Sequence, residues 1–535
     1  MKSKIVRIGL FFAMLISLIN CAKRGTPSGG ARDTTPPKIV RASPELNSTN
    51  FDAKRIRIYF DEYVKLNNLQ QQLIVSPPLS QLPQIKPQGS ASKVVEIVIK
   101  DTLRENTTYV INFGQSIVDN NEGNAYPFFK YVFSTGPTID SLTLSGFVTD
   151  AKAKQPDTFI SVMLYEIDST FTDSTIYKKP PTYITNTLDS TTSFQLSNLR
   201  AGKYRLIALK DIGNNNLFNQ KTDKIAFVED TIQIPTDSVY QLNLFKEIPD
   251  FRATPPSLVS KNRIIFGYEG LSDEMEIELL STVPDDYKSL ITKERDKDTL
   301  NYWFTPFEAD SLLFKVSHPT KIDTFNIRIK ELYRDSLVVS PVNQRNVHFE
   351  KPYVFRANIP LVKTDSSRIS IFKQDSVPVP FDAELDKERN EFKLKWNVEP
   401  AQNYLLTLYP NSLEDFYGNT NDTIRFAVGS KSYADLGSVN LTLRNVDKYP
   451  VIIQITDEQG EVKAERYVDK AEPSYEFRYL DPGNYLIRVI FDTNGNGKWD
   501  SGSYLLKTQP ERIAYFPDVI ELRANWELQQ TFTVN

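Results

Sequence analysis

The sequence predicts an all-β protein of tandem β-sandwich domains, and three observations carry that prediction. Apolar residues recur at every second position, as at Ile56, Ile58 and Phe60; Val95, Ile97 and Ile99; Tyr109, Ile111 and Phe113; and Phe129, Tyr131 and Phe133. That period puts one face of each segment in a core and the other in water, as a pleated strand requires. Gly, Pro, Asn and Asp clusters separate these runs, and no long stretch has helical spacing. The chain also holds 26 tyrosines and 32 phenylalanines against four methionines, a balance that favours strands. Its 535 residues exceed what one core can organise, and units of about 90–110 residues favour sandwiches over barrels.

Residues 1–20 read as an export signal. Lys2, Lys4 and Arg7 make a positive start, and an apolar stretch of twelve runs from Ile8 to Ile19. It is too short for a bilayer core that needs about twenty residues. It leads into Leu18-Ile19-Asn20-Cys21, which resembles the lipobox of bacterial lipoproteins, with Asn20 in place of the usual small residue. The resemblance implies cleavage before Cys21 and a diacylglyceryl group on its sulfur. Cys21 is the one cysteine of the chain, which favours lipidation over an ordinary secretory signal followed by a chance cysteine. With a further amide-linked chain, burial at about 0.8 kcal/mol per CH₂ makes such an anchor effectively permanent. The mature chain then has no thiol, so disulfides and thiol catalysis are excluded. Loss of the signal takes the formal charge from −4 to −7, and no basic stripe remains to grip nucleic acid.

Residues 21–35 are rich in Gly, Pro and Ser and read as a flexible tether. Residues 36–136 resemble the bacterial Ig-like domain, through Pro36-Pro37, the Ser43-Pro44 turn, the Ile56 to Phe60 strand running into Asp61-Glu62, and the Asp119 to Asn124 turn before Phe133-Ser134-Thr135-Gly136. Residues 141–247 resemble the transthyretin-like or carboxypeptidase-regulatory sandwich, through Gly146 to Asp150, Val162 to Tyr165 and Phe194 to Tyr204. A third, Ig-like sandwich is expected over 250–342. Residues 345–430 and 436–535 then repeat the first two types. Leu199 to Asp211 aligns without gaps on Leu480 to Asp492 at an offset of 281, and Tyr109, Asp119, Gly123 and Asn124 correspond to Tyr404, Asp415, Gly418 and Asn419. Repetition of this kind builds rods and clasping arms. Signal and domains together resemble outer-membrane lipoproteins of Bacteroidetes. That resemblance implies a lipid-anchored protein of the outer membrane, with the cell surface favoured over the periplasmic face.

Familiar catalysis needs residues this chain hardly owns. Its two histidines, His318 and His348, are expected in strands or at strand edges, and Cys/His zinc sites are excluded by count. There is no P-loop and no dinucleotide fingerprint. Asp61 and Glu62 are the nearest to a carboxylate pair, and they are expected to end a strand. One constellation has ligand spacing: Asp492, Asn494, Asn496 and Asp500, with Gly497 between, offer oxygens at positions 1, 3, 5 and 9 of a calcium loop. Ser503 stands where the bidentate Glu belongs, so calcium is weak there or the loop is a plain Asn-Gly turn. The sister loop from Asp211 to Asn219 has Gly213 in place of an oxygen donor. Asp-Ser and Asp-Thr pairs, as at Asp101-Thr102, Asp230-Thr231, Asp298-Thr299 and Asp335-Ser336, resemble O-glycosylation acceptors of exported Bacteroidetes proteins and equally suit turns.

The expected function is therefore contact: a non-enzymatic structural or interaction subunit of an envelope complex, for example a β-barrel assembly or transport complex. The alternative is glycan or ligand capture beside a nutrient importer, on aromatic platforms for which Trp303, Trp396, Trp499 and Trp526 are the whole tryptophan supply.

Overall fold

Alternation becomes strand in the computed structural model: Ile56, Ile58 and Phe60 fall inward on Arg55–Leu66, and Val95 and Ile97 on Ser92–Val98. The structure describes residues 33–187, 191–295, 297–333, 336–342 and 346–534. Among them the one α-helix is Leu69–Gln72, and no helix is long and apolar enough to cross a membrane. Cys21 and most of the tether lie outside the described residues, as does Asp335. The chain divides into two compact units: Met1–Thr143 with Thr182–Leu188 and Leu196–Ala201, and Leu144–Pro181 with Asp189–Gln195 and Gly202–Asn535.

In the first unit, Arg55–Leu66 pairs with Ile39–Ser43 and Ser92–Val98, which pairs in turn with Gln84–Lys86. A second sheet orders Ile74–Ser76, Thr108–Asn112 and Lys130–Ser134. Inward residues of both sheets meet in one core, where Phe133 lies 4.0 Å from Phe51 and 5.4 Å from Tyr109 between ring centroids. Burying each such side chain contributes about 1.5–3 kcal/mol. Asp61 and Glu62 do not end a strand. Pairing with Ser92–Val98 shifts register between Tyr59 and Val64, and the strand continues to Leu66 beside Ile117–Asp119. Main-chain pairing with a third strand carries it past two carboxylates that composition alone reads as a stop.

Among the described residues the chain goes on to four further sandwiches, each built on two facing sheets. Ser161–Glu166, Gly202–Lys210 and Lys224–Phe227 form one antiparallel sheet, faced by Leu142–Asp150 and Val239–Leu244 paired in parallel, with Leu242 opposite Val148. Next, Arg263–Glu269, Thr299–Phe304 and Ser289–Lys293 pack on Glu276–Leu279, Ser311–His318 and Lys321–Arg328 around Phe266, Tyr302 and Phe314. In the following pair, Tyr353–Ala357, Glu391–Trp396 and Phe381–Asp386 face Ile369–Lys373, Asn403–Leu408 and Ile424–Ser430. Last, Val451–Thr456, Val462–Val468 and Gly483–Phe491 face Gly437–Arg444, which pairs in parallel with Glu527–Thr533. Counting from the amino terminus, these are called the second to fifth sandwiches.

Several aligned sequence positions occupy matching strands and turns. Gly202–Lys210 and Gly483–Phe491 are both inner strands, at the same 281-residue offset. Tyr109 Oη accepts the Arg104 N–H at 2.9 Å, and Tyr404 Oη accepts the Glu399 N–H at 2.7 Å, five residues upstream in both cases. Asp119 accepts the N–H groups of Asn121, Glu122, Gly123 and Asn124. Asp415 accepts those of Tyr417 and Asn419 and the Asn419 side-chain amide. Gly123 and Gly418 both take φ +83° in these turns, which favours residues without a Cβ.

Candidate functional site

The most elaborated part of the second unit is the excursion between Phe491 and Ile513 of the fifth sandwich. Asp492, which is 1% exposed, directly follows the strand Gly483–Phe491. Its Oδ1 accepts the Gly495 and Asn496 N–H groups at 2.7 and 3.1 Å, and its Oδ2 accepts that of Gly497 at 2.7 Å. Asn494 and Asn496 direct their amide nitrogens at Asp500 Oδ2, at 2.6 and 2.8 Å. Glu511 returns to close the base: Oε1 accepts from the Thr493 N–H and Oγ1, and Oε2 from the Asp500 N–H. The candidate calcium ligands thus stand together, with oxygens already occupied by the loop's own donors. Among the described residues, no three His, Cys, Asp or Glu groups are placed to hold a metal ion.

The excursion's tip enters the second sandwich. Tyr504 is fully buried and meets Phe227 edge-on, at 5.3 Å between centroids and 82°. Its N–H donates to Glu247, which also accepts Gln220 Nε2 at 2.9 Å. Burial pushes the Glu247 carboxyl above its usual range. Lys507 Nζ reaches Asp173 Oδ1 at 2.6 Å and lies 3.9 Å above the Tyr504 ring. Ser501 Oγ donates to the Lys246 carbonyl at 2.5 Å. Gly502 is required by close approach, because a Cβ there falls 2.6 Å from the Thr508 carbonyl and 2.8 Å from Phe245 Cζ. Ion pair, buried ring and main-chain bonds together lock the second sandwich to the fifth.

Beside this lock is a cavity of about 1250 Å³, walled by Lys152, Glu247, Glu269, Arg488, Trp499 and Tyr515 among others. A smaller groove of about 290 Å³ lies where the fourth sandwich meets the fifth, flanked by Tyr433 and Trp526, which are 51% and 45% exposed. Tyr433, Phe349 and Tyr479 pack ring against ring there, with centroids 4.7–5.7 Å apart.

The remaining sequence candidates are scattered. His318 stacks on Phe251 at 4.1 Å and 12°, with Nδ1 2.8 Å from Thr320 Oγ1. His348 packs edge-on to Tyr479, and burial lowers its pKa. Asp61 Oδ1 accepts the Lys38 N–H, and Glu62 is raised by burial and by the Asp119 charge, with no arrangement of an acid opposite a base. In the sister loop, Asp211 Oδ2 accepts the Asn216 N–H at 2.7 Å, and burial raises the Asp211 carboxyl. Asp101 holds a turn by accepting Ser80 N–H and Oγ. Trp303 and Trp396 are buried. Sequence reasoning missed Tyr504, Glu247, Arg488 and Glu511. One signal was present: Lys224–Phe227 begins 13 residues after Asp211, whereas its counterpart Ile513–Tyr515 begins 21 after Asp492. The eight extra residues are the clasp.

Residues 33–135 match the family model of the bacterial Ig-like domain. The first sandwich is thus of bacterial Ig-like type, at the head of an all-β chain of tandem sandwiches. No curated protein matches the chain. Among solved structures, BcpA, the major pilin subunit of Bacillus cereus, is similar over 74% of this chain and 99% of its own, at 10% identity and a TM-score of 0.14. Domains 1–6 of the surface layer protein SbsC are similar over 88% and 67%, at 10% identity and a TM-score of 0.15. Domains A168–A170 of titin are similar over 52% and 98%, at 10% identity and a TM-score of 0.14.

Proposed function

We propose that the chain is a non-enzymatic, lipid-anchored outer-membrane protein that serves as a structural or interaction subunit of an envelope complex. The observation that carries this reading is the exposed Tyr433–Trp526 groove on a fixed junction. Rigid aromatic anchors beside a pocket are the side chains that dominate protein–protein binding. Anchorage at Cys21 would hold the chain at a membrane, with the cell surface as the favoured side. The test is affinity purification from detergent-solubilised membranes with wild type and a Tyr433→Ala/Trp526→Ala variant. A stoichiometric membrane partner, lost with the variant, is expected. Recovery of this chain alone contradicts the reading.

The same groove favours one alternative. Asn525, Glu476 and Arg478 line it beside the two aromatics, a mixture of flat apolar faces and polar groups that suits a sugar. Selective signals on a glycan array, abolished by Trp526→Ala, select glycan capture beside an importer instead.

Calcium is proposed at the Asp492 loop as a stiffening ion without a catalytic role. It has to compete with three main-chain N–H groups for the Asp492 carboxylate, so the expected affinity is no tighter than about 10⁻⁴–10⁻³ M, the range of weak extracellular modules. Calorimetric titration with calcium chloride checks this. Saturable heat in that range, lost in Asp500→Ala, is expected, and a featureless titration removes calcium from the loop.

A further inference from the structure

The cavity beside the clasp holds a cation with no counter-charge. Arg488 is 4% exposed. Its Nε donates to Gln454 Oε1 at 2.6 Å, and its Nη1 to Tyr515 Oη at 3.1 Å and to the Lys152 carbonyl at 3.3 Å. All three acceptors are neutral. Among the described residues no carboxylate lies within 4.0 Å of the guanidinium, and Nη2 has no protein acceptor. A guanidinium withdrawn from water is destabilising unless an anion faces it.

Three acidic groups of the wall are engaged elsewhere. Asp150 pairs with Lys224 at 2.7 Å, Glu269 pairs with Lys221 at 2.5 Å, and Glu247 is held by Tyr504 and Gln220. Glu458 and Asp298 also line the wall, and neither is within ion-pair distance of Arg488, Lys152, Lys154 or Lys246. Four cations therefore border one cavity with no carboxylate within 4.0 Å, and Asp150, the acidic group that acts on Lys152, is already paired with Lys224. Lys152 Nζ sits 5.3 Å from the ring centre of Trp499, which gives the site an apolar wall as well.

We propose that this cavity binds a phosphate-bearing ligand, with Arg488 Nη2 and Lys152 Nζ as the oxyanion contacts and Trp499 against the rest of the molecule. Lost hydration, then the Arg488 charge, lowers the Lys152 pKa against the pull of Asp150, and desolvation lowers that of Lys246 against the pull of Asp223. A dianion restores favourable surroundings to both. Phosphate suits the site better than a single carboxylate, because its oxygens satisfy several donors at once and the Arg fork matches their geometry. A soluble phosphate ester and a lipid headgroup share this chemistry.

The test is isothermal titration calorimetry of the full chain with inorganic phosphate at constant ionic strength. Saturable binding is expected, weakened about tenfold by Lys152→Ala through loss of one charge-assisted contact. Arg488→Lys, which keeps the charge and loses the fork, is expected to weaken it too, while Lys93→Ala in the first sandwich leaves it unchanged. Lys152 lies on the open side of the site, so its alanine variant keeps the fold even if Arg488→Lys does not. Co-sedimentation separates the two sources. Binding to phosphatidylglycerol vesicles and not to phosphatidylcholine assigns a headgroup, and phosphate binding with no vesicle preference assigns a soluble ester. Absence of saturable heat, or equal affinity in wild type and Lys152→Ala, overturns the proposal.

Discussion

Tyr504→Ala is expected to destabilise the junction of the second and fifth sandwiches by about 3–5 kcal/mol, the usual cost of deleting a buried aromatic. The ring is fully enclosed, packs on Phe227, and lies under the Lys507 ammonium that pairs with Asp173. Its loss empties the pocket and weakens the anchor for the Glu247 bond, because the tip no longer has a reason to stay. The fifth sandwich itself keeps its core, since Tyr504 is not among the residues of the Val439 to Val534 cluster. Calorimetry is therefore expected to resolve two transitions in the variant where wild type melts the pair together. Tyr504→Phe, which gives up only the 3.3 Å contact to Asp173, is expected to stay within about 1.5 kcal/mol of wild type. Equal melting of Tyr504→Ala and wild type excludes the clasp.

Asp119→Ala is the second large effect. One carboxylate, 1% exposed, accepts four consecutive main-chain N–H groups. Its removal leaves those donors to a turn that cannot satisfy them, at about 3 kcal/mol. For a unit of this size that is a fall on the order of 10–20 °C in melting temperature. Burial works to raise the Asp119 pKa, and the hydrogen bonds from Glu122, Gly123, Asn124 and Asn121 outweigh it, so the folded value is lowered. A carboxylate depressed in this way stabilises the fold above its unfolded pKa of about 3.9, and that stability is lost as pH falls through the folded value. Acid melting of the first sandwich, followed by tryptophan-free probes such as far-ultraviolet dichroism, is expected to lose this component in Asp119→Ala. A variant whose acid profile overlays wild type contradicts it.

Strand content was legible because it is local. Alternation at Ile56, Ile58 and Phe60 needs no knowledge of the rest of the chain. The repeated Tyr and Asp positions were legible for a related reason: each works within a few residues of itself, through Tyr109 to Arg104 or Asp119 to Asn124. The continuation of Arg55–Leu66 past Asp61 and Glu62 was hidden because it depends on Ile117–Asp119, more than fifty residues away. The candidate site was hidden more deeply. Glu247 meets Tyr504 across 257 residues, and Tyr515 meets the Lys152 carbonyl across 363. Arg488 looks in the sequence like any polar member of an alternating strand, and its burial arises from packing between sandwiches. The aligned repeats held the one usable clue, an insertion after Asp492 that its sister lacks.

Repetition suggested a string of modules, and the second unit uses it differently, folding its last module back onto its first. That closure creates the cavity around Arg488 and fixes the sandwiches that carry the Tyr433–Trp526 groove. Hydrogen exchange at residues 503–508 of the intact chain reports on it most directly. The Tyr504 amide, bonded to Glu247 and enclosed with its ring, is expected to exchange as slowly as the strand amides of Gly202–Lys210, and to quicken in Tyr504→Ala. Exchange of that amide at the rate of a solvated loop contradicts the closure, and with it the site built on it.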